Sequence, residues 1–312
     1  MIVTVTLNPS LDRTIEIGCL TRGAMVRATG TRLDAGGKGV NVARALAEHQ
    51  AKTRAVLPLG GPDGDRLMGL LALDGIDVVA VPVAASTRSN VSLVEPDGTV
   101  TKVNEPGGVL RPVEVESLVE AVLTAAGGAE WVVLCGSLPP GVSSDVYARL
   151  TQVLGGTSVA VDSSGSALRA SLPANPALVK PNRDELAESV GRPIHTLGDV
   201  LAAAELLRAD GADAVLASLG SDGALLLEDD GPVYGRSTVT APRSTVGAGD
   251  AMLAGFLAAG GHGPAALEEA LAWGAAAVSL PGSRMPASSD IRREDTHVST
   301  RIDPTHHLTG PH

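Results

Sequence analysis

The sequence predicts an α/β protein built on a mostly parallel central sheet with helices on both faces, plus a small antiparallel β flap. Three observations lead there. Short continuous apolar runs recur along the chain, as strands buried on both sides require. Ala- and Leu-rich stretches of helical period lie between them, giving a βαβ rhythm. Two stretches break that rhythm with the polar alternation of hairpins.

Taken in order, Met1-Ile2-Val3-Thr4-Val5 reads as a first strand. It has no basic region ahead of it, so it is not a secretory signal and the cytoplasm is the expected location. The first break follows, over 14–34. A helix with Val40, Ala43 and Ala47 on one face starts after Gly36-Gly37-Lys38-Gly39. The next strand is expected at 53–57. The second break spans 88–104, where 90–94 and 99–103 flank the turn Glu95-Pro96-Asp97-Gly98. Together the two breaks form a lid over about 12–35 and 87–105, able to close over a substrate and exclude water. A helix is expected at 114–125, strands at 131–135, 158–161, 177–179 and 214–217, and a helix at 198–208. No linker divides the chain, so 1–312 is expected to be one domain. The segment from about 286 to 312 reads as polar and irregular, with His306, His307 and His312 solvated.

Composition excludes several functions. A chain of 312 residues with 44% hydrophobic content buries a large core. It contains no apolar run long enough to span a membrane. A formal charge of −11 and 2% aromatic residues oppose nucleic-acid binding. Cys19 and Cys135 give no disulfide framework, and Cys135 closes an apolar run as a small buried hydrophobe. Lysine is rare: only Lys38, Lys52, Lys102 and Lys180 occur among 24 basic residues. Two of these sit inside Gly- or Asn-containing motifs, where a compact point charge has a use.

The chemistry-bearing motifs fall just after predicted strands, where open parallel sheets place ligands. Ser244-Thr245-Val246-Gly247-Ala248-Gly249-Asp250 runs straight into an apolar helix. The amides of Gly247, Ala248 and Gly249 then form an anion hole at a helix N-terminus. A carboxylate there is electrostatically misplaced unless it handles a proton, which marks Asp250 as a base; the alternative is a capping Asp after a Gly-rich turn. Gly36-Gly37-Lys38-Gly39-Val40-Asn41 again brings glycines, a Lys and an amide to a helix start, but lacks the spacing of a Walker A loop. Asp12, in Asn8-Pro9-Ser10-Leu11-Asp12, is expected at the C-terminal end of the first strand, where it grips paired sugar hydroxyls or serves the turn. Ser137 in Cys135–Gly141 is offered to a ligand or lies in a plain Gly/Pro loop. Asn182 and Glu185 in Lys180–Glu185 suit a hydrated magnesium held through water, or a capping box. Ser218-Leu219-Gly220-Ser221-Asp222-Gly223 is a nucleotide-contacting loop or a hairpin turn.

In this order the six motifs resemble the ribokinase-like sugar kinases, in the phosphofructokinase type B branch, to about residue 285. The Gly36–Asn41 loop together with Asn104-Glu105-Pro106-Gly107 is most similar to bacterial 1-phosphofructokinases. Tagatose-6-phosphate kinases and 6-phosphofructokinases of the same branch are close relatives. The resemblance implies ATP as co-substrate, Mg2+, and conversion of fructose 1-phosphate to fructose 1,6-bisphosphate. It implies that Asp250 is the general base and that the amides of Gly247, Ala248 and Gly249 stabilise the transferring phosphoryl group. It assigns Asp12, Gly36, Gly37, Lys38, Asn41, Asn104 and Ser137 to the sugar pocket, and Arg27 and Arg88 to the phosphate the sugar already carries. It assigns Lys180, Asn182, Ser218, Gly220, Gly223 and Gly249 to the nucleotide, and Asn182 and Glu185 to the metal through water. It also implies a homodimer formed through the lid. A reading of another class, a nucleotide or sugar-phosphate sensor on the same fold, would leave ATP unconsumed.

Overall fold

The computed structural model describes residues 1–309; Gly310, Pro311 and His312 lie outside the described residues. In chain order the elements begin with β1 (Ile2–Thr6), β2 (Ser10–Ile17), β3 (Ala28–Gly36), α1 (Lys38–Glu48), β4 (Thr53–Leu59) and α2 (Gly61–Leu73). There follow β5 (Asp77–Pro82), β6 (Arg88–Val94), β7 (Val100–Asn104), α3 (Pro112–Ala125), β8 (Trp131–Cys135), α4 (Val146–Val153), β9 (Ser158–Asp162) and α5 (Gly165–Ser171). The chain continues with β10 (Leu178–Val179), α6 (Arg183–Val190), α7 (Leu197–Ala209), β11 (Val215–Ser218), β12 (Ala224–Glu228) and β13 (Gly231–Ser237). It closes with α8 (Ala248–Ala258), α9 (Gly263–Val278) and β14 (Thr296–Ser299).

Among the described residues the main sheet has ten strands in the order β14-β13-β12-β11-β10-β9-β8-β1-β4-β5. From β5 to β11 neighbouring strands are parallel, and β12, β13 and β14 extend the sheet antiparallel. Side chains alternate across each strand, and this parity divides the core in two. Val3, Val5, Val132, Leu134, Val159, Val161, Val215 and Ala217 join one cluster. Ile2, Val133, Cys135, Ala160 and Leu216 join the cluster on the opposite face. The second face is covered by α8 and α9, whose apolar residues are buried almost all round, from Ala251 to Leu257 and at Ala266, Leu267, Ala270 and Trp273.

The lid is a four-stranded sheet, β3-β2-β6-β7. Its pairs β2/β3 and β6/β7 are antiparallel, and the two are joined by parallel pairing of β2 with β6. Strand β2 starts at Ser10, where Ser10 pairs with Arg88. Asp12 therefore lies inside β2 instead of at the end of β1, because the chain reverses at Asn8-Pro9 and enters the lid at once. The expectation of an irregular C-terminal segment is also corrected. Thr296–Ser299 forms β14, which pairs with β13 as an edge strand, and Thr296 Oγ1 donates to Ser237 Oγ at 3.0 Å. Leu308 is buried in the first core cluster. Polar strands of this kind are tolerated at an edge, where one side faces water.

The helix pair α8/α9 depends on one close approach. A Cβ at Gly255 would sit 2.7 Å from Cγ of Trp273. That ring is pinned by its hydrogen bond to Glu269 at 3.1 Å and by stacking on His49 at 3.7 Å, so it has little room to yield. Gly255→Val is expected to destabilise the protein by about 1–3 kcal/mol through overpacking, read as a lowered Tm in calorimetry; an unchanged Tm would show that α8 and α9 slide apart freely.

Candidate active site

The chain leaves β1 toward β4 on one side and returns to β8 on the other, so the strand order reverses beside β1. A crevice at the carboxyl ends of the strands is the consequence. A cavity of about 480 Å3 opens there, lined by Asn8 after β1, Ser137 after β8, Pro106 and Arg88 from the lid side, and Ser166. Asn8 Nδ2 donates to Ser137 Oγ at 3.4 Å and to Pro106 O at 3.1 Å, tying the two strand ends to the segment that follows the lid. Arg88 Nε donates to Asn8 O at 3.2 Å and another guanidinium nitrogen donates to Glu105 O at 2.9 Å. Burial pulls its pKa below the ordinary value, against the charges of Asp12 and Glu105. A partly buried guanidinium held by two carbonyls remains a strong site for an anion.

On the lid, Asp12 accepts hydrogen bonds from Ser10 Oγ at 2.7 Å and Asn90 Nδ2 at 2.9 Å. Burial nevertheless pushes its pKa up. Gly36, on the paired strand, leaves the room that the Asp12 carboxyl occupies. Asn90 was not singled out in the sequence, since an Asn inside a strand has no local signature.

The second half of the site is a chain of charges. Asp162, the last residue of β9, is fully buried. Lys38 Nζ donates to its Oδ1 at 2.8 Å, and Lys180 Nζ lies 3.1 Å from its Oδ2. Lys38 also donates to Glu185 Oε1 at 3.0 Å. Burial opposes the charge on Lys38, but Asp162 and Glu185 outweigh it and raise the pKa. Burial likewise opposes ionisation of Asp162, and Lys180 and Lys38 overcome it to hold the carboxyl below its ordinary range. Sequence reading missed Asp162. The signal was a lone carboxylate closing an apolar strand, at the same strand-end position as the other motifs.

Lys38 opens α1, and Gly39 behind it is required by packing, because a Cβ there would be 3.2 Å from Cβ of Cys135 and closer still to Thr6. One turn on, Asn41 Nδ2 donates to Asp250 Oδ2 at 2.8 Å. Asp250 is buried in the first turn of α8. Burial first, then the negative charge of Asp162, raises its pKa from 3.8 to about 6, against the hydrogen bond from Asn41. Gly247 caps α8 at φ 78°, and a Cβ on Gly249 would lie 3.6 Å from Nζ of Lys180. Of the three amides expected to form the anion hole, that of Ala248 is partly committed to Thr245 O at 3.3 Å. The helix itself offers the first-turn amides no acceptor.

Asn182 and Glu185 form the capping box of α6. Asn182 Oδ1 accepts from Glu185 N at 2.8 Å, and Glu185 Oε2 accepts from Asn182 N at 2.9 Å. The box is also what presents Glu185 Oε1 to Lys38. Among the described residues no group of three or more His, Cys, Asp or Glu is placed to hold a metal ion. A single carboxylate such as Glu185 fits hydrated magnesium, which keeps most of its waters. Ser218 joins this corner through Ser218 N donating to Pro181 O at 3.0 Å. Gly220 and Gly223 lie in the short turn that links β11 and β12 as an antiparallel hairpin. Arg27 and Asn104 are exposed on the lid and are not drawn into these hydrogen-bonded clusters.

Residues 5–290 match the family model described as pfkB family carbohydrate kinase. The chain belongs to this family. It is 40% identical to a 1-phosphofructokinase of Haloferax volcanii over 302 residues, 96% of this chain and 97% of that protein. It is 36% identical to the ATP-dependent 6-phosphofructokinase isozyme 2 of Escherichia coli over 310 residues, 96% of this chain and 99% of that one. The solved phosphofructokinase-2 of Escherichia coli in complex with substrates and products superposes with a TM-score of 0.87 at 35% identity, over 93% of this chain and 96% of that chain. The fold is ribokinase-like, as expected, and the protein is a carbohydrate kinase, a phosphotransferase using ATP. Among the described residues no helix is long and apolar enough to cross a membrane.

Asp162→Asn is expected to cost about 3 kcal/mol or more, because it leaves two lysines crowded without their shared counter-charge. Chemical denaturation followed by far-UV dichroism measures this, and a loss below about 1 kcal/mol would mean that solvent already screens both lysines.

Proposed function

We propose that this kinase converts fructose 1-phosphate to fructose 1,6-bisphosphate with Asp250 as general base. The observation that carries the reading is the placement of Asp250. It is a buried carboxylate with its pKa raised to about 6, oriented by Asn41, at the N-terminus of α8. Above about pH 6 a carboxyl so tuned is ionised and ready to accept a proton. The reaction follows in one displacement. The sugar hydroxyl oxygen bonds to the γ-phosphorus of ATP as Asp250 takes its proton; the bond from that phosphorus to the bridging oxygen breaks, and ADP departs. Lys180, Lys38 and the amides of Gly247 and Gly249 stabilise charge on the transferring group, with Ala248 contributing less because its amide serves the turn.

Asp12, with Gly36 and Gly37 beside it, and Asn41 and Ser137 hold the sugar hydroxyls. Arg88 takes the phosphate already on the sugar, with Arg27 and Asn104 completing the pocket from the lid. Asn182, Ser218, Gly220 and Gly223 receive the nucleotide. Asn182 and Glu185 would hold magnesium through water, and bound magnesium neutralises charge on the β- and γ-phosphates. The lid pairs with that of a second copy, which is supported by exposed apolar residues Leu20, Met25, Val100 and Val103 on the lid and its turn. The Haloferax volcanii relative supports fructose 1-phosphate as substrate. The Escherichia coli relative favours a second reading, phosphorylation of a 6-phosphate sugar by the same mechanism.

ADP release with limiting fructose 1-phosphate, fructose 6-phosphate and tagatose 6-phosphate tests the substrate. The highest kcat/KM is expected for fructose 1-phosphate. Preference for a 6-phosphate moves the assignment to the second reading, and no ADP with any of the three overturns catalysis altogether.

Asp250→Asn is expected to lower kcat by about 10²–10⁴ with ATP affinity retained. In the free wild-type enzyme kcat/KM should fall about tenfold per pH unit below pH 6. Charging Asp250 costs stability because its folded-state pKa lies above 3.8; the cost is absent below that pH, grows up to about pH 6 and persists above it. The Asn variant should therefore melt higher than the wild type at about pH 8 and no higher at about pH 4. Near-normal turnover, or the same Tm difference at both pH values, would remove Asp250 from the role.

A further inference from the structure

The C-terminal segment extends past residue 290, the last position matched by the family model, and the reaction above makes no use of it. In the structure it returns from β14 to the nucleotide end of the sheet. Ile302 packs on the first core cluster and Leu308 is buried in it. Between them the backbone lies along the entry to α7. Gly198 N donates to Pro304 O at 2.9 Å, Leu197 N donates to His306 O at 3.0 Å, and Leu308 N donates to His195 O at 2.8 Å. Thr196 and His307 form an antiparallel bridge.

The segment then reaches Asp222. This carboxylate is buried at 8% exposure, inside the turn Gly220–Asp222 that joins β11 to β12. Thr309 N donates to one of its oxygens at 2.9 Å and Thr309 Oγ1 to the other at 3.2 Å. From the opposite side Tyr234 Oη donates to Asp222 O at 2.7 Å. The turn is sterically tight, since Gly223 has φ 90° and its Cα packs against the backbone of β13. A buried carboxylate that loses two hydrogen bonds is less well held, and its position can shift. In so short a turn, movement of Asp222 displaces Gly220 and Gly223.

We propose that residues 302–309 are a strap that sets the nucleotide-side turn, with Thr309 as a positioning residue for ATP binding. This rests on the reading of Ser218–Gly223 as the nucleotide side. The strap acts on ATP and leaves the sugar pocket alone, because its contacts lie on α7 and the β11–β12 turn, away from Asn8, Arg88 and Ser137.

The test uses the protein carrying Thr309→Pro, which removes both of the Thr309 donors, and Thr309→Val, which removes only the hydroxyl. Steady-state kinetics with ATP and with sugar phosphate are paired with amide exchange over residues 219–223. Thr309→Pro is expected to raise the ATP KM about fivefold to tenfold. Its kcat and sugar KM should stay within about twofold, and amides of the turn should exchange faster. Thr309→Val should move the ATP KM in the same direction by less, and it keeps the proposal open to refutation if the proline variant does not fold. Unchanged exchange with an unchanged ATP KM overturns the strap. Faster exchange with an unchanged ATP KM overturns the proposal through the nucleotide assignment beneath it. Equal losses in both KM values and kcat overturn it as general destabilisation.

Discussion

The site depends on one buried negative charge. Asp162 takes two lysines, Lys38 from the start of α1 and Lys180 from the end of β10, and holds both at the same depth. Among the described residues Lys180 forms its ion pair with Asp162, and Lys38 pairs with Asp162 and with the less buried Glu185. The same carboxylate also repels the charged form of Asp250. One side chain thereby organises two cations and raises the proton affinity of Asp250, the residue we propose as base. Desolvation works against Asp162 itself, and the two ammonium groups repay it.

Register in the parallel sheet brings the pieces together. Strands β1, β8, β9 and β10 end at nearly the same height, with Thr6 paired to Cys135 and Cys135 to Asp162. Residues far apart in sequence are delivered to one rim: Asn8 beside Ser137, Asp162 beside Lys180. The lid adds Asp12, Asn90 and Arg88 by pairing β2 with β6 in parallel, which aligns Ser10 with Arg88 and Asp12 with Asn90.

Much of this was legible in the chain. The βαβ rhythm follows from strand runs that sheet burial makes continuous, and the motifs are short because each needs only a strand end and a helix start. The capping box at Asn182 and Glu185 was weighed against a metal-linked role; the structure shows the box, and the same geometry points Glu185 at Lys38. What escaped reading was pairing across distance. Asp162 offers only the cue of a carboxylate closing an apolar strand, since its partner Lys38 lies 124 positions away. Asn90 meets Asp12 only through the parallel pairing of two lid strands. The C-terminal segment looked irregular because an edge strand as short as Thr296–Ser299 carries little periodicity, and the backbone bonds that follow it are invisible in side-chain pattern.

One of the lid's connections to the site is a single residue. Strand β3 ends at Gly36, helix α1 begins at Lys38, and Gly37 between them turns at φ 116°. That connection abuts Lys38, with Asn41 and its bond to Asp250 one helical turn beyond. Under the proposed mechanism, any displacement of β3 is therefore transmitted through Gly37 to the helix whose Asn41 orients Asp250.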